Sequence, residues 1–163
     1  MKIHVLSRKE IETGLRIKPA YVVISIRNPG EPRAKVKKQA GLRGVLYVAF
    51  SGIEPLAGLQ PPPEIKKIKL SPAEEICAFV HRSRRAGIGA IVVHCEQGMS
   101  RSPAVAAAIS DALGLNPKRF WQFHTPNEYV YHAVSDAFER HAAARPIQWP
   151  KAGGVLNRRP VAS

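Results

Sequence analysis

Acidic residues are scarce in this chain of 163 residues: 12 aspartates and glutamates stand against 25 lysines and arginines, and the net charge is +13. The only aspartates are Asp111 and Asp136. A field of this sign attracts anions, such as a phosphorylated protein, a nucleotide, the end of an RNA or an acidic membrane surface. A basic surface that is merely solvated explains the charge about equally well, so the charge alone identifies no partner.

Long apolar runs, cysteines and aromatic residues are also few. No run approaches the roughly 20 apolar residues of a membrane-spanning helix, and the apolar start at residues 1–6 has no cleavage-site pattern, so we expect a strand there and neither a span nor a signal peptide. Two cysteines do not suggest a disulfide framework. Aromatic residues make up 7% and none interleaves with the basic clusters, so nucleic-acid binding by base stacking is unsupported.

Apolar and helical segments alternate in a pattern typical of one α/β domain. With 45% hydrophobic residues, the chain is long enough for one core and too short for two ordinary domains. Predicted strands are 3–6, 21–26, 45–50 and 90–93, and predicted helices are a short one capped by Ser7, then 71–85, 102–113, 117–123 and 125–143. We predict a single-domain, three-layer fold, with a mostly parallel sheet of four to five strands and helices on both faces. Residues 1–144 form this domain, and the basic tail 145–163 is expected to be irregular.

One polar loop joins the last predicted strand to a helix and carries the residues of greatest chemical interest. It reads His94-Cys95-Glu96-Gln97-Gly98-Met99-Ser100-Arg101-Ser102. The strand delivers Cys95 to the carboxyl edge of the sheet, where open α/β sheets bind ligands. Backbone N–H groups of the loop and the start of the helix can then face one anion. Arg101 adds a planar guanidinium that can bind two phosphate oxygens at once.

These surroundings also favour a reactive cysteine. A free cysteine thiol has a pKa of about 8.5, and nearby positive charge or a helix N-terminus lowers it to roughly 3.5–7.5. Cys95 is therefore predicted to be a thiolate at neutral pH. A thiolate that faces an anion-binding loop can attack phosphorus.

Residues 94–102 resemble the signature of the cysteine-dependent protein-tyrosine and dual-specificity phosphatases: a His-Cys pair, five residues, then Arg-Ser. Gly98 and Ser100 stand where the dual-specificity version has its Gly-x-Ser-Arg-Ser. Downstream, Thr125-Pro126-Asn127 looks like the Pro-Asn pair of small bacterial members. The resemblance extends over about residues 20–142 and implies a protein-tyrosine phosphatase-like fold and activity.

The resemblance implies a role for each residue of the loop. Cys95 would attack phosphorus and form a phosphocysteine, and Arg101 would bind the equatorial oxygens of the phosphoryl group. Ser102 would hydrogen-bond the sulfur and help it leave. His94 would brace the loop. Backbone N–H donors would come from Glu96, Gln97, Gly98, Met99 and Ser100, with Gly98 at a turn whose conformation is unfavourable for other residues.

The chain departs from the family at the general acid. These phosphatases protonate the leaving oxygen with an aspartate that precedes the cysteine, but both aspartates of this chain follow Cys95. Glu54 and Glu64 are the acids between the third predicted strand and the next helix. We expect Glu54 to serve as the substitute because it follows that strand where the family carries its aspartate, and Glu64 is the alternative. A site without any acid is about as consistent with the sequence.

Other residues have structural interpretations that compete with functional ones. Cys77 lies on an apolar helical face, which favours a packed core thiol over a redox partner for Cys95. Asn127 can support the loop, but a helix cap explains it nearly as well. The histidines take no metal-ligand spacing with one another or with Cys77, so we propose no metal and no other cofactor.

The residues and the resemblance together predict a phosphomonoester hydrolase that acts on phosphotyrosine, or on phosphoserine and phosphothreonine, in protein. Other anionic phosphate esters remain alternative substrates, because the fold alone does not select among them. A nucleophilic thiol favours the reducing cytoplasm. The alternatives are a non-enzymatic phosphate-binding module that has lost its acid, and a sulfur transferase of the rhodanese type, which also uses a cysteine-led loop.

Overall fold

The computed structural model describes residues 1–14, 16–52 and 70–144. The strands are β1 (Lys2–Ser7), β2 (Tyr21–Arg27), β3 (Leu42–Ala49) and β4 (Ala90–Cys95). The helices of these segments are α1 (Arg8–Thr13), α2 (Leu70–Arg85), α3 (Arg101–Ala112), α4 (Lys118–Phe123) and α5 (Glu128–Ala143). None of these helices is long and apolar enough to cross a membrane.

The four strands form one parallel sheet in the order β1-β4-β2-β3. This confirms the predicted mostly parallel sheet. Of the predicted four to five strands, the described residues form four. Strand β4 lies between β1 and β2, and all of its residues are buried. The loop after β4 therefore leaves from the middle of the carboxyl edge, with neighbouring strand ends on both sides.

Alternate residues of the central strands enter two different cores. Ile91 and Val93 face one core, where α2, α3 and α5 pack, whereas Ala90 and Val92 face the other, with Ile11 of α1. The second face is covered by the short α1 and by irregular backbone between β1 and β3. The predicted three layers are present, but among residues 1–14, 16–52 and 70–144 helices dominate on one face, and the predicted helical cover of the other face is reduced to α1.

Helix α3 lies at the centre of the helical layer. Its residues from Ser102 to Ser110 are all buried, and they include a run of three alanines at 106–108. Small side chains allow the helix to approach the sheet and α5 closely, and a helix apolar on all sides belongs in a core. The first turn of α3 is consequently fixed by packing.

Several helix ends agree with the sequence. Ser7 and Glu10 form the expected capping box at α1. Helix α2 ends at Arg85 as predicted, and Gly87 follows with a φ of +70° and a bond from the Ile88 N–H to the Ser83 carbonyl. Helix α2 begins at Leu70, one residue before the predicted start, a difference within the usual range of boundary assignments.

Some expectations fall on segments outside the described residues. Glu54 and Glu64 both lie between 53 and 69, and the basic tail 145–163 also lies outside. The predictions for these residues therefore stay predictions.

Candidate active site

Cys95 is the last residue of β4, and its neighbour across the sheet is Ser7, the last residue of β1. Its side chain belongs to the core that contains α3 and is only 3% exposed. Residues 96–100 turn back from the strand, and α3 begins at Arg101. The thiol thus lies under the loop, beside the start of the buried helix.

Gly98 allows the loop to lie close to the end of β1. Its φ is +74°, a conformation that other residues rarely adopt. An added Cβ would also lie 2.9 Å from the Leu6 carbonyl carbon and 2.9 Å from the Ser7 nitrogen, both of which are backbone atoms. Both the conformation and the close approach therefore require glycine.

Hydrogen bonds to Cys95 oppose the effect of its burial. Burial is the largest influence and raises the pKa of the thiol, but the Ser102 hydroxyl, the N–H groups of Ser102 and Gly98, and the charge of Arg101 all lower it. The Ser102 oxygen lies 3.1 Å from Sγ. The net result is a pKa of Cys95 below its usual value. Hydrogen bonding to the charged form favours that form, so the site stabilises a thiolate.

The Arg101 side chain is held by the ends of β2 and β3. Its Nη1 donates to Asn28 Oδ1 at 2.7 Å and to the Phe50 carbonyl at 3.0 Å. Its aliphatic stem passes Gly52 so closely that an added Cβ there would lie 3.1 Å from Arg101 Cγ and Cδ. Asn28 in turn donates to Glu31 Oε1 at 2.8 Å. The sequence identified Arg101 but gave no signal for Asn28.

Asn127 connects three parts of the site. Its Nδ2 donates to the Gly52 carbonyl at 2.8 Å, and its Oδ1 accepts from the Val130 N–H at 2.9 Å, which caps α5. Its own N–H donates to the carbonyl of Ser100 at 3.2 Å. The sequence is consistent with either role, the cap of α5 or the support of the loop. In the structure the buried Asn127 makes both sets of contacts.

The side chains of the loop face outward. Glu96, Gln97, Met99 and Ser100 are exposed, and Met99 is 45% exposed. Of the loop backbone, the N–H of Gly98 faces the thiol. The role of the other loop N–H groups as anion donors stays a prediction.

Arg8 binds the outer side of the loop. Its N–H donates to the Glu96 carbonyl at 3.0 Å, and its guanidinium lies 3.4 Å from Glu96 and 3.1 Å from Glu12. Exposed ion pairs of this type contribute little stability. The backbone hydrogen bond is more important because it fixes the loop to the start of α1. No sequence motif predicts this role for Arg8.

His94 is buried on the other side of the sheet from the thiol. Its Nδ1–H donates to the Cys95 carbonyl at 3.4 Å, and Nε2 has no hydrogen-bond partner among the described residues. Burial lowers the pKa of His94 and keeps the ring neutral. This environment suits a residue that supports the strand end.

Similar solved structures share this fold. Human DUSP28 matches with a TM-score of 0.54 and 21% identity, over 88% of this chain and 95% of that chain. A tyrosine-to-histidine variant of the same human protein matches with a TM-score of 0.55 and 23% identity, over 88% and 93%. No protein-family model matches the sequence, and a search of curated proteins gave no significant match.

The chain therefore has the α/β fold of the dual-specificity and protein-tyrosine phosphatases. The resemblance seen in residues 94–102 is confirmed at the level of the fold. Identities of this size establish a shared architecture and leave the chemistry to be argued from the site.

Proposed function

We propose that this protein hydrolyses phosphomonoesters through a phosphocysteine intermediate, with phosphotyrosine, or phosphoserine and phosphothreonine, in protein as its substrate. The observation that carries the proposal is the environment of Cys95. Its buried sulfur accepts hydrogen bonds from Ser102 and from the backbone of Gly98, and the pKa of the thiol is lowered at the start of a helix that begins with Arg101.

In the first step the thiolate of Cys95 attacks phosphorus. The Sγ–P bond forms as the bond between phosphorus and the ester oxygen breaks, and the leaving oxygen takes a proton. Negative charge is spread over the three remaining phosphoryl oxygens, which the loop N–H groups and Arg101 stabilise. Arg101 is already held through Nη1 by Asn28 and Phe50, so its guanidinium loses little freedom when it binds these oxygens.

In the second step water attacks the phosphocysteine. The Sγ–P bond breaks, the sulfur leaves as a thiolate, and inorganic phosphate is released. The Ser102 hydroxyl, 3.1 Å from Sγ, can donate a hydrogen bond to the sulfur as its charge returns. The same contacts that lower the pKa of Cys95 therefore make it a better leaving group.

Glu54 is our proposed general acid for the first step. It lies two residues after Gly52, which contacts both Arg101 and Asn127. The proposal therefore rests on the sequence position of Glu54 close to a glycine that contacts the site, since Glu54 itself lies outside the described residues. Glu64 is the alternative. A positioned acid typically contributes about 10²–10⁴-fold to the rate.

The charge pattern of the loop favours a protein substrate. Between Cys95 and Arg101 there is no lysine, and the first loop residue is Glu96, which is exposed and paired with Arg8. Such a rim disfavours ligands with several phosphate groups, such as highly phosphorylated inositols. A low-pKa free thiol also requires reducing conditions, so we propose a cytoplasmic location.

A non-enzymatic phosphate-binding module is the second candidate function. It is favoured by one observation, the absence of any aspartate before Cys95. A sulfur transferase of the rhodanese type is less consistent with the site, because Arg101 and Ser102 both suit phosphate chemistry. Thiosulfate-dependent turnover would identify that activity directly.

The deciding experiment compares the parent with Cys95→Ser on an activated aryl phosphate and on a phosphotyrosine peptide. We expect turnover in the parent and a loss of at least about 10⁴-fold in the variant, since a hydroxyl is a poor nucleophile without an adjacent base. Phosphate binding should persist in the variant because the loop donors remain. Binding without turnover in the parent would instead identify the non-enzymatic module.

A further inference from the structure

Helices α2 and α5 bring together a second set of reactive side chains. Cys77 and His81 lie on α2, His141 lies on α5, and one ligand atom of each lies within 4.8 Å of the others. Cys77 is buried and the two histidines are partly buried. This cluster has no part in the reaction proposed for Cys95.

The two helices hold the three side chains in a defined arrangement. Cys77 and His81 are four residues apart on one face of α2, where side chains lie next to each other. The rings of His81 and His141 stack with centroids 4.3 Å apart. The rings of His81 and Phe138 pack in an edge-to-face arrangement with centroids 5.6 Å apart. Packing between α2 and α5 thus fixes the relative position of the three residues.

One atom of the cluster has an unmet requirement. His141 Nε2 is buried and has no hydrogen-bond partner among the described residues. A buried polar atom without a partner carries a cost in free energy. An imidazole nitrogen can meet the requirement by donating its lone pair to a metal ion.

A thiolate with two imidazoles is a ligand set that zinc prefers. Zinc bonds to sulfur and nitrogen are about 2.3 and 2.0–2.1 Å long, so tetrahedral ligand atoms lie about 3.3–3.6 Å apart. The present separations of up to 4.8 Å are about 1 Å longer. Zinc binding would therefore require the two partly buried histidine side chains to rotate toward a common point, which would replace their ring stacking with metal bonds.

A cavity of about 370 Å³ gives access to the cluster. Its lining includes Cys77, His141, Glu74 and Arg140. Glu74 lies three residues before Cys77 on α2 and lines the same cavity, but its carboxylate is not among the ligand atoms that lie within 4.8 Å of one another. The fourth ligand is therefore either water or Glu74 after its exposed side chain turns toward the cluster. The charge of Arg140 opposes a cation, but this residue is exposed and its long side chain can extend into solvent.

We propose that Cys77, His81 and His141 bind one Zn²⁺ ion that links α2 to α5, with Glu74 or water as the fourth ligand. The prediction of no metal-ligand spacing is at odds with this set. Cys77 and His81 have the spacing of two ligands on a helix, a pattern that the interpretation of Cys77 as a packed core thiol leaves out, and His141 is 60 positions after His81. The third ligand comes close to the other two only through the packing of α2 against α5.

The test uses the full chain with Cys95→Ser, so that Cys77 is the only thiol. Titration with Co²⁺ should give a thiolate-to-cobalt charge-transfer band that saturates at one equivalent and disappears when Zn²⁺ is added. Cys77→Ala should remove the band. His81→Gln and His141→Gln should each weaken binding by at least about tenfold, the smallest loss that even an outer-shell residue typically causes. The matched control is His132→Gln, an exposed histidine on α5.

The proposal fails if the Cys95→Ser protein shows no thiolate-to-cobalt band, a result that needs no further variant. It also fails if the band survives Cys77→Ala, or if His141→Gln binds Co²⁺ as tightly as His132→Gln. Circular dichroism verifies that each variant is folded. As an independent measurement, Zn²⁺ should raise the thermal midpoint of the Cys95→Ser protein and not that of its Cys77→Ala derivative.

Discussion

The two cysteines are buried to nearly the same extent, with 2% of Cys77 and 3% of Cys95 exposed, but their surroundings differ in kind. Cys95 stands at the end of a strand, where the following loop and the start of α3 supply N–H groups that are not used by secondary structure. Cys77 lies inside α2, where the backbone N–H groups bond to carbonyls one turn earlier.

This difference shows that burial alone does not determine the role of a thiol. Burial raises the pKa of Cys95, and the hydrogen-bond donors around it, together with the charge of Arg101, reverse the direction. In α2 the backbone N–H groups are used by the helix, and the side chains close to Cys77 include the imidazoles of His81 and His141, which can bind a cation. The position of each cysteine within its backbone element therefore favours phosphate chemistry at one and metal binding at the other.

After loss of the nucleophile, removal of the general acid should lower the rate most. The donors around Cys95 stabilise the thiolate but cannot supply the proton that the leaving oxygen needs. Glu54→Gln should lower kcat on a phosphotyrosine peptide by about 10²–10⁴-fold, and by little on an activated aryl phosphate, whose leaving oxygen hardly needs a proton. The matched variants are Glu64→Gln and Glu139→Gln, the latter on the exposed face of α5. A peptide-selective loss in Glu64→Gln alone would transfer the role, and no loss in either glutamate would contradict both assignments.

Gly98 and Gly87 both have a positive φ, so their alanine variants allow a matched comparison between the loop after Cys95 and the end of α2. Gly98→Ala combines an unfavourable φ with contacts of 2.9 Å to backbone atoms of β1, so we expect kcat/KM to fall by about 10²-fold as the loop is displaced. Gly87→Ala, at the end of α2, has a φ of +70° and nothing within 4 Å of the added carbon.

Conformational strain is therefore common to both variants, and only Gly98→Ala adds a steric clash. Strain of this type costs about 1–3 kcal/mol, so both should show lower thermal midpoints. Only Gly98→Ala should lose activity in the fraction that remains folded. Equal losses of kcat/KM would mean that the loop tolerates displacement.

The contact between Asn28 and Arg101 has a smaller expected effect. Asn28→Ala removes one of the two acceptors of Nη1, so the guanidinium should be less well positioned and kcat/KM should fall by about tenfold. KM should rise and kcat should fall, because Arg101 binds both the substrate and the transition state. Asn116→Ala is the matched control, since Asn116 Oδ1 accepts a hydrogen bond from the Lys118 N–H, and none of the described contacts joins it to Arg101. A lower thermal midpoint with unchanged kinetics would assign Asn28 a purely structural role.

The parts of the site that could be predicted from the sequence are those encoded by neighbouring residues. The end of β4, the turn at Gly98 and the start of α3 follow from an apolar run, a glycine and a helical pattern within about a dozen positions. The alternation of strands and helices is likewise local, and it predicted the parallel sheet.

The missed parts depend on contacts between distant segments. Asn28 meets Arg101 across 73 positions, and Arg8 meets Glu96 across 88. Neither pair has a sequence pattern, because each contact exists only once the strand order β1-β4-β2-β3 brings those strand ends to one edge. Polar residues in loops take their role from this order.

The smallest expected effect concerns the hydrogen bond between Ser102 and Cys95. Because the folded pKa of Cys95 is lowered, its thiolate persists to a pH below the usual thiol range and is lost as the pH falls through that folded pKa. Ser102→Ala removes one of the donors that lower the pKa, so the acidic limb of Cys95 alkylation by iodoacetamide should move to higher pH. Release of phosphate from the phosphocysteine should also slow, by about tenfold. Alkylation of Cys77, followed by mass spectrometry of its peptide, is the internal control, because the Ser102 hydroxyl that the variant removes lies beside the sulfur of Cys95. An unshifted limb for Cys95 would mean that the backbone donors and Arg101 alone maintain the thiolate, and the comparison between the two cysteines would then depend on the loop backbone and not on Ser102.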